Sequence, residues 1–535
     1  SPSDQLLLEA EDAVLIGVVV DTVRDGFSGT GYVTGFESDA DSLRFDFSTG
    51  EGVYEVWMAS AQSSRIRPYS IWIDGRENPG NIVGGGAFVE RKLTEHRFSD
   101  GVHSIVVQGA LDVDYLRLVP INYEPPIPPA MELTDSLATP ATKALLAFLL
   151  EQYGTHILSA QQNLTDVEYV ERTTGRTPAI GSFDLIEYSP SRIENGAQTN
   201  LAVERWIDWT GSDAIANLMW HWNAPTDLID SQSQPWWRGF YTEATTFDLP
   251  GALADTTSER YQLLLRDIDA IAVQLQKFQR ADIPVLWRPL HEAAGTWFWW
   301  GAHGPEAFKE LWRLMYNRLV HIHGIHNLIW VYTHEPNANQ WYPGDAYVDV
   351  ASRDVYAKDP EATMRSDWEQ LHELYGNRKL IALSESGTLP DPEVITDFGI
   401  WWSWFSVWSG SFIRNIDDDY LTYVFNSHVV MTRDELPDWR VVATEPIVEI
   451  PNVDLEVYPN PTAGQTTIRM TLPRPSQVVA TVYDVLGRHV QTVDMGYRQN
   501  GFFSSGIRID GAPGVYLVRI AADDNVTRAR VIVSR

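Results

Sequence analysis

Residues 287–301, Trp-Arg-Pro-Leu-His-Glu-Ala-Ala-Gly-Thr-Trp-Phe-Trp-Trp-Gly, decide the fold. They complete an apolar run that begins at Ile283, and a short apolar run bounded by turn signals is typical of a buried strand in a parallel sheet. The run ends in His291 and Glu292, where we expect the side chains to pass from the packed core into an open cleft. Burial beside aromatic rings removes water from a carboxylic acid, which raises its pKa and lets it donate a proton near neutral pH.

The aromatic residues after this pair indicate what the cleft binds. Trp297, Trp299 and Trp300 follow Glu292 closely. Binding sites combine aromatic walls with a few polar groups, and an indole face suits the C–H face of a sugar ring whose hydroxyls bond to polar neighbours. One tryptophan would indicate core packing, but three tryptophans directly after His-Glu favour a sugar-binding cleft.

The composition bounds the possible functions. The 535 residues exceed what one hydrophobic core supports, so about two to four domains are expected. The 72 acidic residues against 40 basic ones give a net charge of −32, which disfavours nucleic acid and anionic membranes as partners. The chain has no cysteine, which excludes disulfides and thiol chemistry, and no apolar run of about 18 residues that would insert in a membrane.

Strand-like and helix-like segments alternate through the middle of the chain, from 133 to 441. Eight βα units over about 300 residues predict a (β/α)₈ TIM barrel, whose chemistry lies at the C-terminal ends of the strands. The clearest helical patterns are Glu259–Arg280 and Pro305–Ile322. The predicted strands are His156–Gln161, Ala179–Asp184, Ile215–His221, Ile283–Leu290, Leu328–Thr333, Asp349–Tyr356, Leu380–Glu385 and Ile400–Trp408.

Two carboxylates end strands that face each other across the mouth of such a barrel. Glu292 ends the fourth predicted strand and Glu385 ends the seventh. Hydrolysis of a glycosidic bond with retention requires an acid and a nucleophile about 5–5.5 Å apart. Tyr356, at the end of the sixth strand, can hydrogen-bond the nucleophile. Arg288 lies on the same side of its strand as Glu292, where it can lower the pKa of a neighbouring carboxylate.

Other hydrolase chemistries fit the sequence less well. A zinc hydrolase motif that begins at His291 needs a second histidine four residues later, and position 295 is glycine. Ser384 and Ser386 flank Glu385 without the Gly-x-Ser-x-Gly elbow of serine hydrolases. A further group of histidines lies at a helix end on the opposite face of the predicted barrel, and we interpret its members as helix-end or loop residues: His321, His323 and His326.

Four motifs of the barrel region carry a family resemblance. They are LMWHWN at 218–223, WRPLHE at 287–292, WFWWG at 297–301 and LSESG at 383–387. The region resembles glycoside hydrolase family 26, whose main activity is endo-β-1,4-mannanase. The resemblance implies that Glu292 is the acid/base, that Glu385 is the nucleophile and that no cofactor takes part in catalysis. It also implies a sugar subsite lined by His221, His291, Trp297, Tyr356 and Trp408.

Residues 1–121 form a separate all-β region. Short alternating runs with glycine-rich turns predict a β-sandwich or jelly roll. Glu9 and Glu11 near its start and Asp112 and Asp114 near its end can converge on one Ca²⁺ if the first and last strands pair, although solvated strand-end charges fit as well. The motifs LEAEDA (8–13), GFSGTGYVTGF (26–36) and DVDYLRL (112–118) resemble carbohydrate-binding module family 35, which implies structural calcium on Glu9, Glu11 and Asp114.

A proline-rich linker, 122–132, separates this region from the barrel. Residues 442–535 form a third region with the strand-turn motifs VYPNP (457–461), VYDVLGR (482–488) and PGVYLVR (513–519), which predict a small Ig-like β-sandwich. These motifs resemble the C-terminal sorting domain of the type 9 secretion pathway, a domain that directs export and is commonly removed. The alternative is a second sugar-binding sandwich.

These observations together predict a secreted or cell-surface, retaining endo-β-1,4-mannanase that acts on β-mannan. We expect a monomer that uses the type 9 secretion machinery and has no nucleic-acid partner. One alternative is a β-glucanase or β-xylanase of the same barrel family. The other is a catalytically inactive polysaccharide-binding protein, against which the presence of both glutamates argues.

Overall fold

A computed structural model describes residues 5–62, 66–83, 86–130, 132–356, 364–442, 456–472, 475–484, 489–509, 511–522 and 525–534. The chain divides into two compact units, 1–443 and 444–535, and the first unit contains both an N-terminal sandwich and a barrel. Within the described residues, no helix has the length and apolar character needed to cross a membrane. The last four residues of the second C-terminal motif, 485–488, lie outside the described residues.

The central region is a closed (β/α)₈ barrel, as the sequence predicts. Its parallel strands pair in chain order and the eighth pairs with the first, which also pairs with the second. All eight predicted strands are present, with bounds that match the prediction or differ from it by a few residues. They are β12 (Ile157–Gln162), β13 (Ile180–Asp184), β14 (Ile215–Met219), β15 (Val285–Arg288), β16 (Leu328–Thr333), β17 (Val350–Val355), β18 (Leu380–Ser386) and β19 (Trp404–Val407), with the short β20 (Val430–Met431) beside β12.

Helices cover the outside of the barrel. Thr139 caps α1 by accepting the Thr142 N–H, and Pro140 occupies the first turn, where its missing N–H costs nothing. The predicted long helix over 305–322 ends as an α-helix at Asn317 and continues as a π-turn. The helices are α1 (Pro140–Gln152), α2 (Leu164–Thr174), α3 (Pro190–Glu194), α4 (Ala202–Thr210), α5 (Leu249–Ala254), α6 (Glu259–Arg280), α7 (Pro305–Asn317), α8 (Arg365–Tyr375), α9 (Pro392–Asp397), α10 (Ser411–Arg414), α11 (Asp418–Phe425) and α12 (Trp439–Val442).

The N-terminal region is a sandwich of two antiparallel sheets. One has the order β3-β4-β11-β6-β9, with β1 paired to β11, and the other has the order β2-β5-β10-β7-β8. Apolar residues that alternate along the strands meet between the sheets in one core. The strands are β1 (Leu6–Glu9), β2 (Val14–Ile16), β3 (Val19–Asp21), β4 (Tyr32–Thr34), β5 (Ser42–Thr49), β6 (Gly52–Ala61), β7 (Ile66–Ile73), β8 (Arg76–Val83), β9 (Val89–Phe98), β10 (Gly101–Gly109) and β11 (Asp112–Ile121).

The C-terminal unit is also a β-sandwich. A three-stranded sheet, β21-β22-β25, and a four-stranded sheet, β24-β23-β26-β27, share one apolar core. All pairings within the two sheets are antiparallel. The strands are β21 (Glu456–Tyr458), β22 (Gln465–Leu472), β23 (Ser476–Asp484), β24 (His489–Arg498), β25 (Gly501–Arg508), β26 (Gly514–Ala522) and β27 (Asn525–Val533).

Candidate active site

Three carboxylates meet at the C-terminal mouth of the barrel. Glu292 follows β15, Asp354 lies in β17 and Glu385 lies in β18. One carboxylate oxygen of each residue lies within 4.8 Å of the other two. The structure therefore brings together the two glutamates that the sequence singles out, and it adds Asp354, which sequence reasoning did not find. The β17–β18 register shifts between Arg353 and Asp354, so that Asp354 pairs with Glu385.

A buried guanidinium organises this group. Arg288 is fully buried and donates to Asp354 Oδ2 at 3.0 Å and to Glu385 Oε1. Its Nη1 also donates to Thr333 Oγ1 at 3.1 Å. Three carboxylate oxygens this close can coordinate a cation. Arg288 already supplies a positive charge at this place, because it donates hydrogen bonds to two of the three carboxylates. The arrangement therefore suits charge stabilisation by the protein itself.

The protonation of Glu292 differs from that of an ordinary surface glutamate. Burial raises the pKa of Glu292 well above its usual range, and the negative charges of Asp354 and Glu385 raise it further. Burial also raises the pKa of Asp354, although Arg288 opposes the shift. Glu292 therefore retains its proton at neutral pH, which is the state that a general acid requires.

Tyr356 contacts the other side of Glu385. Its hydroxyl donates to Glu385 Oε2 at 2.8 Å, while Arg288 donates to Oε1 of the same carboxylate. Burial and the neighbouring charge of Glu385 raise the pKa of Tyr356 far above its usual range, so the hydroxyl stays a donor. Both oxygens of Glu385 are thus fixed by hydrogen bonds, and the carboxylate has a defined orientation.

The three tryptophans after Glu292 have two different roles. Trp297 is 46% exposed, and its indole N–H donates to Glu292 Oε2 at 2.9 Å. Trp299 and Trp300 are buried, and their indole N–H groups donate to the backbone carbonyls of Trp222 and His291. Only Trp297 of the three presents a ring to the cleft, so the sequence argument for a wall of three indoles holds for one of them.

Two histidines form a buried chain behind the carboxylates. His221 Nδ1 lies 2.6 Å from Asp184 Oδ2, and its Nε2 lies 3.1 Å from Nε2 of His291. Burial lowers the pKa of His291 well below its usual range, and the charge of Arg288 acts in the same direction. An anion at Asp184 selects the Nδ1–H tautomer of His221, which makes His291 Nε2 the donor between the rings. Asp184 ends β13 and carried no motif by which the sequence would reveal it.

The turn that carries Glu292 has an unusual backbone. Leu290, Glu292 and Thr296 have φ values of 50°, 53° and 62°, in the left-handed region that side chains disfavour. Such conformations persist where the surroundings hold them, and they occur often at active sites. Glu335, just after β16, contributes to holding this turn by accepting the Gly295 N–H at 3.2 Å. Sequence reasoning gave Glu335 no role, because no motif marks it.

The remaining predicted subsite residue, Trp408, follows β19. Its ring centroid lies 6.0 Å from that of His221, at an interplanar angle of 63°. The structure thus groups all the predicted subsite residues around the carboxylates: His221, His291, Trp297, Tyr356 and Trp408.

The three acids proposed for a metal lie together in the sandwich. Ser28 joins two of them, because its Oγ lies 2.7 Å from Glu9 Oε2 and its N–H donates to Asp114 Oδ1 at 2.9 Å. The Thr30 N–H donates to Glu11 Oε1 at 2.5 Å. Among the described residues, the barrel carboxylates are the one group of three in which one oxygen of each residue lies within 4.8 Å of the others, so the sandwich acids are more widely spaced.

Comparison with known families accounts for most of the chain. Residues 134–435 match the model of glycosyl hydrolase family 26, and residues 6–121 match the family 35 carbohydrate binding module. Residues 456–534 match the secretion system C-terminal sorting domain. These matches cover the same three regions that the sequence motifs indicate.

Individual relatives match about four-fifths of the chain. The mannan endo-1,4-beta-mannosidase of Thermothelomyces thermophilus is 40% identical over 81% of this chain and 90% of its own length. Mannan endo-1,4-beta-mannosidase A of Piromyces sp. is 31% identical over 82% of this chain and 74% of its own. The crystal structure of the Podospora anserina GH26-CBM35 β-(1,4)-mannanase has a TM-score of 0.76 and 38% identity, and the match covers 82% of this chain and 99% of that one.

Proposed function

The chain belongs to glycosyl hydrolase family 26, and from this premise we propose that it is a retaining endo-β-1,4-mannanase. The observation that carries the proposal is the approach of the Glu292 and Glu385 oxygens to within 4.8 Å. An approach this short fits the separation of about 5–5.5 Å used for retention and falls below the 6.5–9.5 Å that inversion needs. Its sorting domain makes the protein a secreted or cell-surface enzyme.

In the first step Glu385 attacks the anomeric carbon of the mannosyl unit. The glycosidic bond breaks, its oxygen takes the proton of Glu292, and a glycosyl-enzyme ester forms on Glu385. Hydrogen bonds from Arg288 and Tyr356 to the two oxygens of Glu385 set the direction of attack. The buried, protonated Glu292 is suited to the acid role because its charged form is disfavoured.

In the second step water replaces the released chain. Glu292, now ionised, removes a proton from the water, which attacks the anomeric carbon and releases Glu385. Two inversions leave the product with the configuration of the substrate. The reaction needs no cofactor, since acid, base, nucleophile and charge stabilisation all come from these side chains and Arg288.

We assign sugar binding at the reacting unit to the residues around the two glutamates. Trp297 offers a half-exposed indole face next to Glu292, where a pyranose ring can stack. His221 and His291 lie at the base of the pocket, and Trp408 lies beside His221. Because His291 stays neutral, it adds no charge to the base of the pocket while it contacts His221.

The experiment that tests this function is hydrolysis of a panel of polymers. We expect reducing ends from β-1,4-mannan, glucomannan and galactomannan, with much less release from β-1,4-xylan and mixed-linkage β-glucan. A rapid fall in viscosity at low release of reducing ends identifies endo cleavage. Glu306→Gln is a matched control, because Glu306 is a largely exposed carboxylate whose ion-pair partner is Lys309.

Two results would contradict the assignment. Preferred cleavage of glucan or xylan would make the protein a different glycanase of the same family. Binding to mannan without hydrolysis, by a protein that retains both glutamates and its fold, would leave only a polysaccharide-binding function.

We further propose that Ca²⁺ binds in the sandwich on Glu9, Glu11 and Asp114. Three observations support the fit. Glu11 Oε2 is buried and has no hydrogen-bond partner among the described residues. Asp114 is buried with its pKa raised by burial and by the charges of Glu9 and Glu11, which a cation would neutralise. Gly29 has φ +59°, and a Cβ there would lie 2.1 Å from Glu11 Oε1, so glycine keeps the space open. Hard carboxylate oxygens are the ligands that Ca²⁺ prefers.

Chelation tests this ion independently of catalysis. Removal of bound Ca²⁺ by EDTA should lower the melting temperature of the unit that contains the sandwich, since an ion that binds only the folded state stabilises it by mass action. Turnover of short soluble oligosaccharides by the barrel should change little. An identical melting curve with EDTA and with added Ca²⁺ would rule out the site.

The division of the chain also remains a proposal. We take 1–121 as the carbohydrate-binding sandwich, 122–132 as the linker, 133–441 as the catalytic barrel and 442–535 as the sorting domain. Two observations support these limits: β11 ends at Ile121, and the chain divides into two compact units after Ala443.

We also propose a monomer that uses the type 9 secretion machinery. Light scattering after size-exclusion chromatography tests the monomer.

A further inference from the structure

We propose that Glu335 is a positioning residue for the acid/base, which it holds in place by accepting hydrogen bonds from the backbone of the turn that follows Glu292. The inference rests on the proposed function of Glu292. Glu335 lies just beyond β16, on the strand next to the one that carries Glu292. Its role would be to fix the turn and not to contact the sugar.

The turn after Glu292 has two backbone hydrogen bonds of its own, from the Gly295 N–H to the Glu292 carbonyl and from the Thr296 N–H to the Ala293 carbonyl. Residues 293–295 form a single 3₁₀ turn between Glu292 and Thr296, both of which have left-handed backbone conformations. The Gly295 N–H makes two contacts, one to the Glu292 carbonyl at 3.2 Å and one to Glu335 Oε1 at 3.2 Å. Glu335 is therefore the side chain outside the turn that the Gly295 N–H contacts.

The same turn also places Trp297 against Glu292. A Cβ on Gly295 would lie 2.1 Å from the Trp297 ring, so the ring packs over the glycine. From this position the indole N–H reaches Glu292 Oε2 at 2.9 Å. The Glu335 carboxylate, the Gly295 amide, the Trp297 ring and the Glu292 carboxyl thus form one connected set, and a shift of the turn moves both the acid and its indole partner.

The backbone around Glu335 makes hydrogen bonds of its own. The N–H of the preceding His334 donates to the Ser352 carbonyl at 2.8 Å, and the Glu335 carbonyl accepts the Ala338 N–H at 3.2 Å. Burial and the charge of Asp354 raise the pKa of the Glu335 carboxyl to about 7, while hydrogen bonds from Gly295 and Ala294 oppose the shift. The site disfavours the charged form of Glu335, and two backbone amides contact its carboxyl there. Both features are consistent with a role in holding that backbone.

The dependence of kcat/KM on the leaving group distinguishes a misplaced acid from general damage to the pocket. Cleavage of a bond between two mannose units needs full protonation of a poor leaving group. Cleavage of a 2,4-dinitrophenyl mannobioside needs almost none, because that phenolate leaves unaided. A misplaced Glu292 therefore lowers kcat/KM for an oligosaccharide and spares kcat/KM for the aryl substrate, since both constants report only the steps up to the first irreversible cleavage. Damage to the pocket as a whole lowers both.

The experiment compares Glu335→Gln and Glu335→Ala with the intact protein and with the surface control Glu306→Gln. For Glu335→Ala we expect a loss in kcat/KM on the order of tenfold or more with mannopentaose, and less than about threefold with the aryl mannobioside. Glu335→Gln keeps the shape and an acceptor oxygen, so it should lie between Glu335→Ala and the intact protein. Equal losses on both substrates, or no loss on either, would overturn the inference.

A second measurement does not depend on catalysis. Hydrogen exchange of the 293–297 backbone in the full chain should be faster in Glu335→Ala and unchanged in Glu306→Gln. Unchanged exchange of this segment in Glu335→Ala would contradict the contact itself. If the intact protein cleaves neither substrate, the proposed function is wrong, and the exchange measurement still decides whether Glu335 holds the turn.

Discussion

At the scale of single residues, the pocket collects four acidic side chains around one buried guanidinium. Glu292, Asp354 and Glu385 approach one another closely, Glu335 supports the adjoining turn, and Arg288 pairs with two of the three central acids. The positive charge is insufficient for all of these groups to ionise together, and burial makes the deficit more costly. Among the described ion pairs, Arg288 contacts Asp354 and Glu385 but not Glu292. The proton therefore stays on Glu292.

This arrangement makes Glu292 a source of instability. Its folded pKa lies above the value of 4.5 for an exposed glutamate, so above that pH the unfolded chain releases a proton that the folded protein keeps. Stability falls as pH rises wherever the folded state binds more protons. Glu292→Gln mimics the protonated acid and removes this penalty. We expect its melting temperature to exceed that of the intact protein by an amount that grows between pH 5 and pH 8.

Thermal melts of both proteins at several pH values in that range measure the difference directly. A difference that stays constant with pH, or one that shrinks as pH rises, would mean that Glu292 is not held protonated by the fold.

Trp297 and Trp299 offer a direct contrast between binding and packing. Trp297 is half-exposed beside Glu292, whereas Trp299 is buried. We expect Trp297→Ala to lose about 10²-fold in kcat/KM on mannan, or about 2.7 kcal/mol of transition-state stabilisation, with little change in melting temperature. Trp299→Ala should instead cost about 3–5 kcal/mol of folding free energy through the cavity it leaves. Trp297 would be a packing residue if its variant lost less than about threefold in kcat/KM.

At the scale of elements, the periodicity of the sequence was sufficient to predict the strands and helices of the barrel. Leu328–Thr333 and the helix Glu259–Arg280 have the predicted bounds, because apolar runs and capping residues mark their ends locally. The predicted final strand, Ile400–Trp408, starts too early. The strand begins at Trp404, and Trp401 and Trp402 pack in the core before it. A run rich in tryptophan gives no local signal that distinguishes strand from buried loop.

The site was predictable where a motif marks it and not elsewhere. Glu292 and Glu385 stand in recognisable segments at strand ends. Asp354 reaches the site through a register shift between β17 and β18, and a shift of this kind depends on long-range pairing that the sequence does not display. Asp184 and Glu335 are ordinary acids in sequence, and only the closed barrel brings them to His221 and to the Gly295 amide.

At the scale of the first compact unit, the sandwich packs on the barrel through charged and aromatic contacts. Arg365 at the start of α8 pairs with Glu95 of β9 and lies 5.0 Å from the ring centroid of Tyr123. Although burial opposes it, hydrogen bonds from Lys92, Tyr123 and Arg365 lower the pKa of Glu95 to about 2. Arg97 adds a contact at 2.5 Å to Asp397 of α9. The sandwich thus contacts α8 and α9, which follow the strands that carry Asp354 and Glu385. It therefore supports that side of the barrel.

These contacts predict a coupled unfolding of sandwich and barrel. Arg365→Ala removes an ion pair and a cation–π contact together, so we expect calorimetry to show the sandwich melting separately from the barrel. Arg44→Ala is a matched control, since Arg44 pairs with Asp46 within the sandwich and is exposed. Turnover of short oligosaccharides should stay the same in both variants. A single unchanged transition in Arg365→Ala would show that the contact does not couple the two domains.

The most direct test of the central claim assigns the two glutamates by the stereochemistry of rescue. Glu292→Ala should still form the glycosyl-enzyme from an aryl mannoside with a good leaving group, and then stall because no base activates water. Azide should restore turnover and give the β-mannosyl azide, identified by NMR. Glu385→Ala cannot form that intermediate, so it should stay inactive or give the α-azide. A β-azide from Glu385→Ala, or inverted product from the intact enzyme, would contradict the assignment of both residues.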